Sequence, residues 1–173
     1  MKGTIVRCLQ DGVEQRYGSE AWRAVLELSG LSPDAAFTPN RQVSDADVSL
    51  LLHASAEQLG MSANEIVDFF GTWWACNYAP RVYGFYYERH PNLRSFLRGL
   101  NQIHREVTQH SRSAQPPFVD IVEHERRLSI TYHSERGLVA LFAAIARGLG
   151  AHFGEQVEVI CESDDQVEVI WAA

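Results

Sequence analysis

The stretch Tyr132-His133-Ser134-Glu135-Arg136 decides how the rest of this sequence is interpreted. Side chains alternate between the two faces of a β-strand, so the pattern predicts that Tyr132, Ser134 and Arg136 share one face. We call these three the YxSxR residues. Two hydroxyls and a guanidinium fork then converge as hydrogen-bond donors, an arrangement that suits carboxylate groups. The stretch therefore predicts a binding site for an anionic ligand.

His104 is the next residue that bears on the ligand. It falls in a predicted amphipathic helix that begins after Asn92, and the spacing from Leu97 and Leu100 places it on the apolar stripe. A haem requires an imidazole near carboxylate-binding donors, because the iron needs an axial ligand and the propionates need partners. Taken alone, His104 is more often a core histidine with a hydrogen-bond partner, so both interpretations stand here. The other histidines lack this combination of helix context and spacing: His53, His90, His110, His124, His133 and His152.

Several features together resemble the haem nitric oxide/oxygen-binding (H-NOX) domain family, which is related to the haem domain of soluble guanylate cyclase. They are the opening Met1-Lys2-Gly3-Thr4-Ile5-Val6, the His104 helix followed by Pro116-Pro117, and the pattern Tyr132-x-Ser134-x-Arg136. The resemblance implies haem b as the cofactor and His104 as the proximal ligand of its iron. Tyr132, Ser134 and Arg136 would bind the propionates. Pro117 would press on the porphyrin and distort it from planarity.

The resemblance also implies a distal gas pocket on the other side of the haem. Its expected lining residues are Ile5, Leu9, Trp74, Tyr78, Leu141 and Ile145. Oxygen-binding members of the family carry a polar network at the positions of Leu9, Trp74 and Leu141, which this sequence lacks. The expected pocket is therefore apolar, and it favours nitric oxide, which binds ferrous haem without a distal donor. The Tyr78 hydroxyl faces either this pocket or the core, and the sequence leaves both choices open.

The function implied by the resemblance is sensing, and no enzyme activity is expected. Nitric oxide, and also carbon monoxide, would bind the ferrous haem, and nitric oxide would weaken the bond between His104 and iron so that its helix shifts. A separate protein would receive the signal, such as a histidine kinase or a cyclic-di-nucleotide enzyme. One alternative is a small haem oxygenase- or peroxidase-like enzyme, although the expected pocket has no acid–base histidine or arginine. Another is a haem-free protein-interaction module.

Length and charge limit the remaining possibilities. The chain has 173 residues and a formal net charge of −7, which suits a single haem-binding domain over residues 1–173 and disfavours a nucleic-acid partner. No apolar stretch is long enough to span a membrane, and Met1–Gln15 lacks the apolar core of a signal peptide, so we expect a cytoplasmic protein with no membrane partner. Cys8, Cys76 and Cys161 form no CxxC pair, and neither a disulfide framework nor a cysteine-rich zinc site is expected.

Hydrophobic periodicity and capping signals predict an α+β fold. Helices are expected over Tyr17–Leu31, Ser44–Gly60, Ala63–Tyr78, the segment after Asn92 that contains His104, and Gly137–Phe153. Strands are expected over Phe118–Glu123, Arg127–His133, Gln156–Ile160 and Gln166–Ile170, and the repeated QVEVI of the last two predicts a β-hairpin. This order predicts an α+β domain whose four strands form one antiparallel sheet. The H-NOX resemblance implies that a helical N-terminal lobe packs on a C-terminal lobe with this four-stranded antiparallel sheet and flanking helices. The H-NOX family has such a fold.

Overall fold

A computed structural model describes residues 3–33, 35–38, 42–109 and 115–172 of the chain. Met1, Lys2 and His110, which were named above, lie outside the described residues. The helices are α1 (Gly3–Tyr17), α2 (Ser19–Leu28), α3 (Asp45–Leu59), α4 (Ala63–Trp73), a π-helical turn (Trp74–Tyr78), α5 (Ala79–Glu88), α6 (Leu93–Thr108) and α7 (Val139–Phe153). The strands are β1 (Phe118–His124), β2 (Arg127–His133), β3 (Val157–Cys161) and β4 (Gln166–Trp171).

The described strands form one antiparallel sheet in the order β1-β2-β4-β3. Leu128 and Ile130 of β2 and Val167 and Val169 of β4 alternate with more exposed positions, so their side chains are buried on one face. Helix α7 packs on the sheet. The predicted α+β class and the four-stranded antiparallel sheet are confirmed.

Two clusters of buried side chains divide the described chain into two lobes. The helical lobe is built from α1 to α4 and the π-helical turn, and its most buried members include Val6, Val13, Val25, Leu51 and Phe70. The sheet lobe is built from α5 to α7 and the four strands, and its most buried members include Leu93, Leu97, Leu128, Ile130 and Val169. Trp74 and Ile145 pack against both clusters, so the lobes share a boundary along α4, the π-helical turn and α7.

Helices α4 and α7 cross at small residues, which permits a close approach of their backbones. A Cβ atom on Gly71 would lie 2.6 Å from Cβ of Ala144, and one on Gly148 would lie 2.7 Å from the carbonyl oxygen of Gly71. Neither position can hold a larger side chain unless the helices separate. This crossing fixes the spacing between the two lobes.

Side-chain caps begin several helices at the residues that the sequence predicted. Ser44 and Asn92 each accept a hydrogen bond from the backbone N–H three residues further on, at 3.0 and 2.8 Å. Ser62 and Glu65 form a reciprocal capping box at the start of α4. Each cap satisfies a backbone donor that has no partner inside its helix. The predicted starts of α3, α4 and α6 are therefore confirmed.

The predicted helix over Tyr17–Leu31 is wrong at both ends, and α1 before it was not predicted. Gly18 adopts φ +90°, a conformation that interrupts a right-handed helix, so α1 and α2 are separate. Gly12 within α1 obscured its helical pattern. A Cβ atom at this position would lie 3.0 Å from the Trp73 ring, which is closer than an ordinary van der Waals contact.

Helix α5 was also missed. The predicted helix over Ala63–Tyr78 has the predicted extent, but its last turn is π-helical and α5 follows it directly. Pro80 does not prevent α5, because a proline in the first turn of a helix removes no intrahelical hydrogen bond. Tyr83 departs from helical geometry, with φ −126° and ψ 24°, and kinks α5. Among the described helices, none has the length and apolar character needed to cross a membrane.

The substitution Gly71→Ala is expected to lower the free energy of unfolding by about 1–3 kcal/mol, because the new methyl group forces α4 and α7 apart. Thermal and urea unfolding would measure the loss. Gly84→Ala in α5 is the matched control, since a Cβ atom there meets nothing within 4 Å. The control should unfold at the same or a slightly higher temperature. Equal stability of the two variants would contradict the tight crossing.

Candidate functional site

A cavity of about 290 Å³ lies between the helical lobe and the sheet lobe. Its walls come from the N-terminal turn of α1 and the π-helical turn, and from α5, α6, α7 and the end of β2. Most of its lining side chains are apolar. Nine of the site residues predicted from the sequence line it: Ile5, Trp74, His104, Pro117, Tyr132, Ser134, Arg136, Leu141 and Ile145.

His104 reaches the cavity from α6 with one ring nitrogen already bonded. Its Nδ1 lies 3.0 Å from the carbonyl oxygen of Pro117, and because a carbonyl only accepts hydrogen bonds, Nδ1 carries the proton. Burial lowers the pKa of His104 below its usual range, while the Pro117 carbonyl acts in the opposite direction. The imidazole is therefore neutral near pH 7, with the lone pair on Nε2. This is the form of histidine that binds a metal ion.

Tyr132 lines the same cavity from the end of β2. Its ring stacks on Phe142 of α7 with 5.0 Å between the centroids, which fixes its position. Burial raises the pKa of Tyr132, whereas a hydrogen bond with the Ser134 side chain and the charge of Arg136 lower it. The hydroxyl is therefore protonated near pH 7 and interacts with both of the other YxSxR residues.

A turn, and not the alternation of side chains along a strand, brings the YxSxR residues together at the cavity. Strand β2 ends at His133, so the prediction that Ser134 and Arg136 continue it is wrong. Ser134 Oγ accepts a hydrogen bond from the Arg136 backbone N–H at 3.2 Å, and Gly137 follows with φ +59°. A turn, which this glycine permits, brings Arg136 back beside the cavity.

Arg136 also connects the two lobes at the edge of the cavity. Its Nε donates to Asp45 Oδ2 at 2.9 Å, at the start of α3, and its Nη1 donates to the Gln115 carbonyl at 3.2 Å. A guanidinium has five N–H donors, so these two bonds do not exhaust its capacity. Arg136 can therefore bind an anionic group while Asp45 holds it in place.

The structure does not place all of the expected distal residues together. Ile5, Trp74, Leu141 and Ile145 line the cavity, but Leu9 and Tyr78 do not. Leu9 lies with the buried side chains of the helical lobe. Tyr78 belongs to the same cluster, where burial, followed by the nearby Cys8, raises the pKa of its hydroxyl. Tyr78 therefore packs in the core of the helical lobe and does not line the cavity.

Tyr83 and Thr4 are polar lining residues that the sequence did not indicate. The Tyr83 ring centroid lies 6.2 Å from that of Trp74, and its hydroxyl forms a hydrogen bond with the Thr4 side chain. The wall near Trp74 thus carries two hydroxyl groups, which differs from the wholly apolar pocket expected. The segment after Pro80 is rich in tyrosine, which could have indicated polar lining residues. Because α5 was not predicted from the sequence, no element placed these tyrosines near the cavity.

The chain matches one family model and shares its fold with solved structures. The model described as Haem-NO-binding matches residues 2–161. No curated protein matches the chain. An oxygen-binding H-NOX domain related to soluble guanylate cyclases, in its oxygen complex, is 23% identical with a TM-score of 0.83, and the match covers 100% of this chain and 96% of that one.

Two further structures agree with that result. An I5F mutant of the T. tengcongensis H-NOX is 22% identical with a TM-score of 0.86, over 100% of this chain and 98% of that one. An H-NOX protein from S. oneidensis in the Fe(II)NO ligation state is 20% identical with a TM-score of 0.86, over 98% of both chains. At this level of identity the likenesses show the fold.

Proposed function

The chain belongs to the haem-NO-binding family, and on that premise we propose that it is a haem-based sensor of nitric oxide with His104 as the axial ligand of the iron. The observation that carries the proposal is the hydrogen bond from His104 Nδ1 to the Pro117 carbonyl, 3.0 Å long. It leaves the Nε2 lone pair of a neutral imidazole beside a largely apolar cavity. Such a second partner is typical of histidines that bind metals.

The cavity also fits the rest of a haem. A porphyrin has apolar faces and carries two propionates at one edge, so it needs apolar walls and a cluster of donors at one end. The Tyr132 and Ser134 hydroxyls and the Arg136 guanidinium provide that cluster. When bound, ferrous haem supplies an iron centre that takes up nitric oxide and carbon monoxide. Pro117, which lines the same cavity, is the residue we propose to press on the porphyrin.

The polar groups of the cavity support sensing over catalysis. Within the described part of the chain, the lining includes no histidine besides His104 and no arginine besides Arg136. Oxygenase or peroxidase chemistry calls for an acid–base group beside the reacting ligand. The hydroxyls of Tyr83 and Thr4 bond to one another, and the phenol is not acidic, because burial raises its pKa.

The signal leaves this domain, we propose, through α6, because that helix carries His104. A partner protein responds only if it binds the two positions of α6 with different affinities. The family resemblance suggests a histidine kinase or a cyclic-di-nucleotide enzyme as that partner. The proposal requires no nucleic acid and no membrane.

The first test is His104→Gly. The purified variant should lose the axial-ligand spectrum of the ferrous protein, and added imidazole should restore it by entering the space that the side chain leaves. Ultraviolet–visible spectra with and without imidazole provide the measurement. His124→Ala, a substitution of an exposed histidine in β1, is the control and should match the unmodified protein. An unchanged spectrum for His104→Gly without imidazole would show that another residue is the ligand.

The second test concerns the propionates. Arg136→Ala should speed haem transfer to a scavenger protein by about tenfold, and Ser134→Ala should have a smaller effect, because a charged donor binds a carboxylate more strongly than a hydroxyl does. Asp45→Ala separates the two roles of Arg136, since it removes the ion pair between the lobes and keeps the guanidinium. Equal transfer rates for Arg136→Ala and the unmodified protein would place the propionates elsewhere.

The third test concerns ligand choice. We expect the ferrous protein to bind nitric oxide and carbon monoxide but to give no persistent oxygen spectrum in air, because Leu9, Trp74 and Leu141 stand where oxygen-binding members of the family carry their polar network. Tyr83→Phe should leave this behaviour unchanged, as should Tyr78→Phe, which makes the same change outside the cavity. A stable oxygen spectrum that Tyr83→Phe abolishes and Tyr78→Phe preserves would refute this expectation and identify Tyr83 as an oxygen-stabilising donor.

A further inference from the structure

A row of polar side chains attaches α6 to β1 and to the segment just before it. The helix and the strand run in opposite directions, so positions further along α6 contact positions earlier in the strand. Their contacts are Arg94 with the His124 and Glu125 carbonyls, Arg98 with Glu123, Asn101 with Val119, and His104 with Pro117. The four α6 residues recur every three or four positions and therefore share one face of the helix.

Asn101 differs from the arginines because it bonds twice to a single peptide residue. Its Nδ2 donates to the Val119 carbonyl at 2.7 Å, and its Oδ1 accepts from the Val119 N–H at 2.9 Å. The side-chain amide therefore pairs with the edge of β1 as a neighbouring strand would. Arg98, in contrast, is more than half exposed, and exposed ion pairs contribute little to structure.

The sheet register explains why Val119 is available for this pairing. Val119 lies opposite Tyr132 in the antiparallel pair of β1 and β2, and the Tyr132 N–H donates to the Asp165 carbonyl on the far side at 2.7 Å. The two residues thus form a pair whose backbone groups point away from each other. The N–H and the carbonyl of Val119 point outward, toward α6. Asn101 therefore holds the backbone of Val119, the residue that lies directly opposite Tyr132 in the sheet.

The same attachment fixes the hydrogen-bond acceptor of His104. Pro117 precedes β1 by one residue and has no N–H of its own, so it cannot hold its place through a backbone donor. Val119 is two residues further on, and Asn101 is one helical turn before His104. With α6 and β1 joined at Asn101, the Pro117 carbonyl lies 3.0 Å from Nδ1.

We infer that Asn101 is a positioning residue for His104. Its double hydrogen bond to Val119 sets the Pro117 carbonyl against Nδ1 and so keeps the proton on Nδ1 and the lone pair on Nε2. The inference rests on the proposed function for its role in sensing, because a ligand histidine must present Nε2 to the iron. The geometric claim concerns this chain alone.

The experiment compares Asn101→Leu with Arg98→Leu, which removes a neighbouring contact between α6 and β1 at an exposed site. Nitrogen-15 NMR of the full chain prepared without haem measures the ratio of the two His104 tautomers. We expect Asn101→Leu to lower the ratio of Nδ1–H to Nε2–H by about fivefold, as the loss of roughly one hydrogen bond would. Arg98→Leu should leave the ratio unchanged.

A second variant and a second measurement complete the experiment. If Asn101→Leu does not fold, Asn101→Asp is measured instead, because it retains the acceptor for the Val119 N–H and loses the donor to the Val119 carbonyl. In the haem-loaded ferrous protein, resonance Raman should show a lower iron–histidine stretching frequency for the Asn101 variant and not for Arg98→Leu.

The outcomes separate this inference from the proposed function. A tautomer ratio in the folded Asn101 variant equal to that of the unmodified chain would overturn the positioning role. Failure of the unmodified chain to bind haem would overturn the proposed function, while a changed ratio would still establish the link between Asn101 and His104.

Discussion

The hydrogen bond between His104 and the Pro117 carbonyl is the interaction on which the site depends. It joins the longest helix of the sheet lobe to the segment that leads into the sheet, and it selects one tautomer of a buried imidazole. A histidine without such a partner would populate both tautomers and would present Nε2 only part of the time. The bond therefore fixes the orientation of a buried histidine and leaves the lone pair on Nε2.

The two lobes meet along α4, the π-helical turn and α7, and the cavity lies beside this boundary. Gly71 and Gly148 bring α4 and α7 close together, whereas the ion pair of Arg136 with Asp45 joins the lobes at the cavity edge. Trp74 and Ile145 pack against both cores beside the cavity. A ligand in this cavity would contact residues of both lobes, among them Ile5 and His104.

The sequence was sufficient for those parts of the site that depend on local patterns. The apolar stripe of α6 located His104, and the five-residue pattern that ends at Arg136 located the donors, although a turn and not a strand brings them together. Leu9 and Tyr78 were expected in the cavity, but the direction of their side chains depends on how α1 packs against α4 and the π-helical turn. The role of Asn101 was not predicted, because its amide bonds to backbone atoms of Val119 and any residue at that position would offer the same atoms.

The pairing of Asn101 with Val119 also protects the sheet. Strand β1 is an edge strand, and an exposed edge can recruit a strand from another molecule and begin aggregation. The Asn101 amide occupies the outward donor and acceptor near the start of this edge, and Arg94 binds the carbonyls at its end. Helix α6 thus covers the edge of β1 against association with a second chain, and the same face of the helix carries His104.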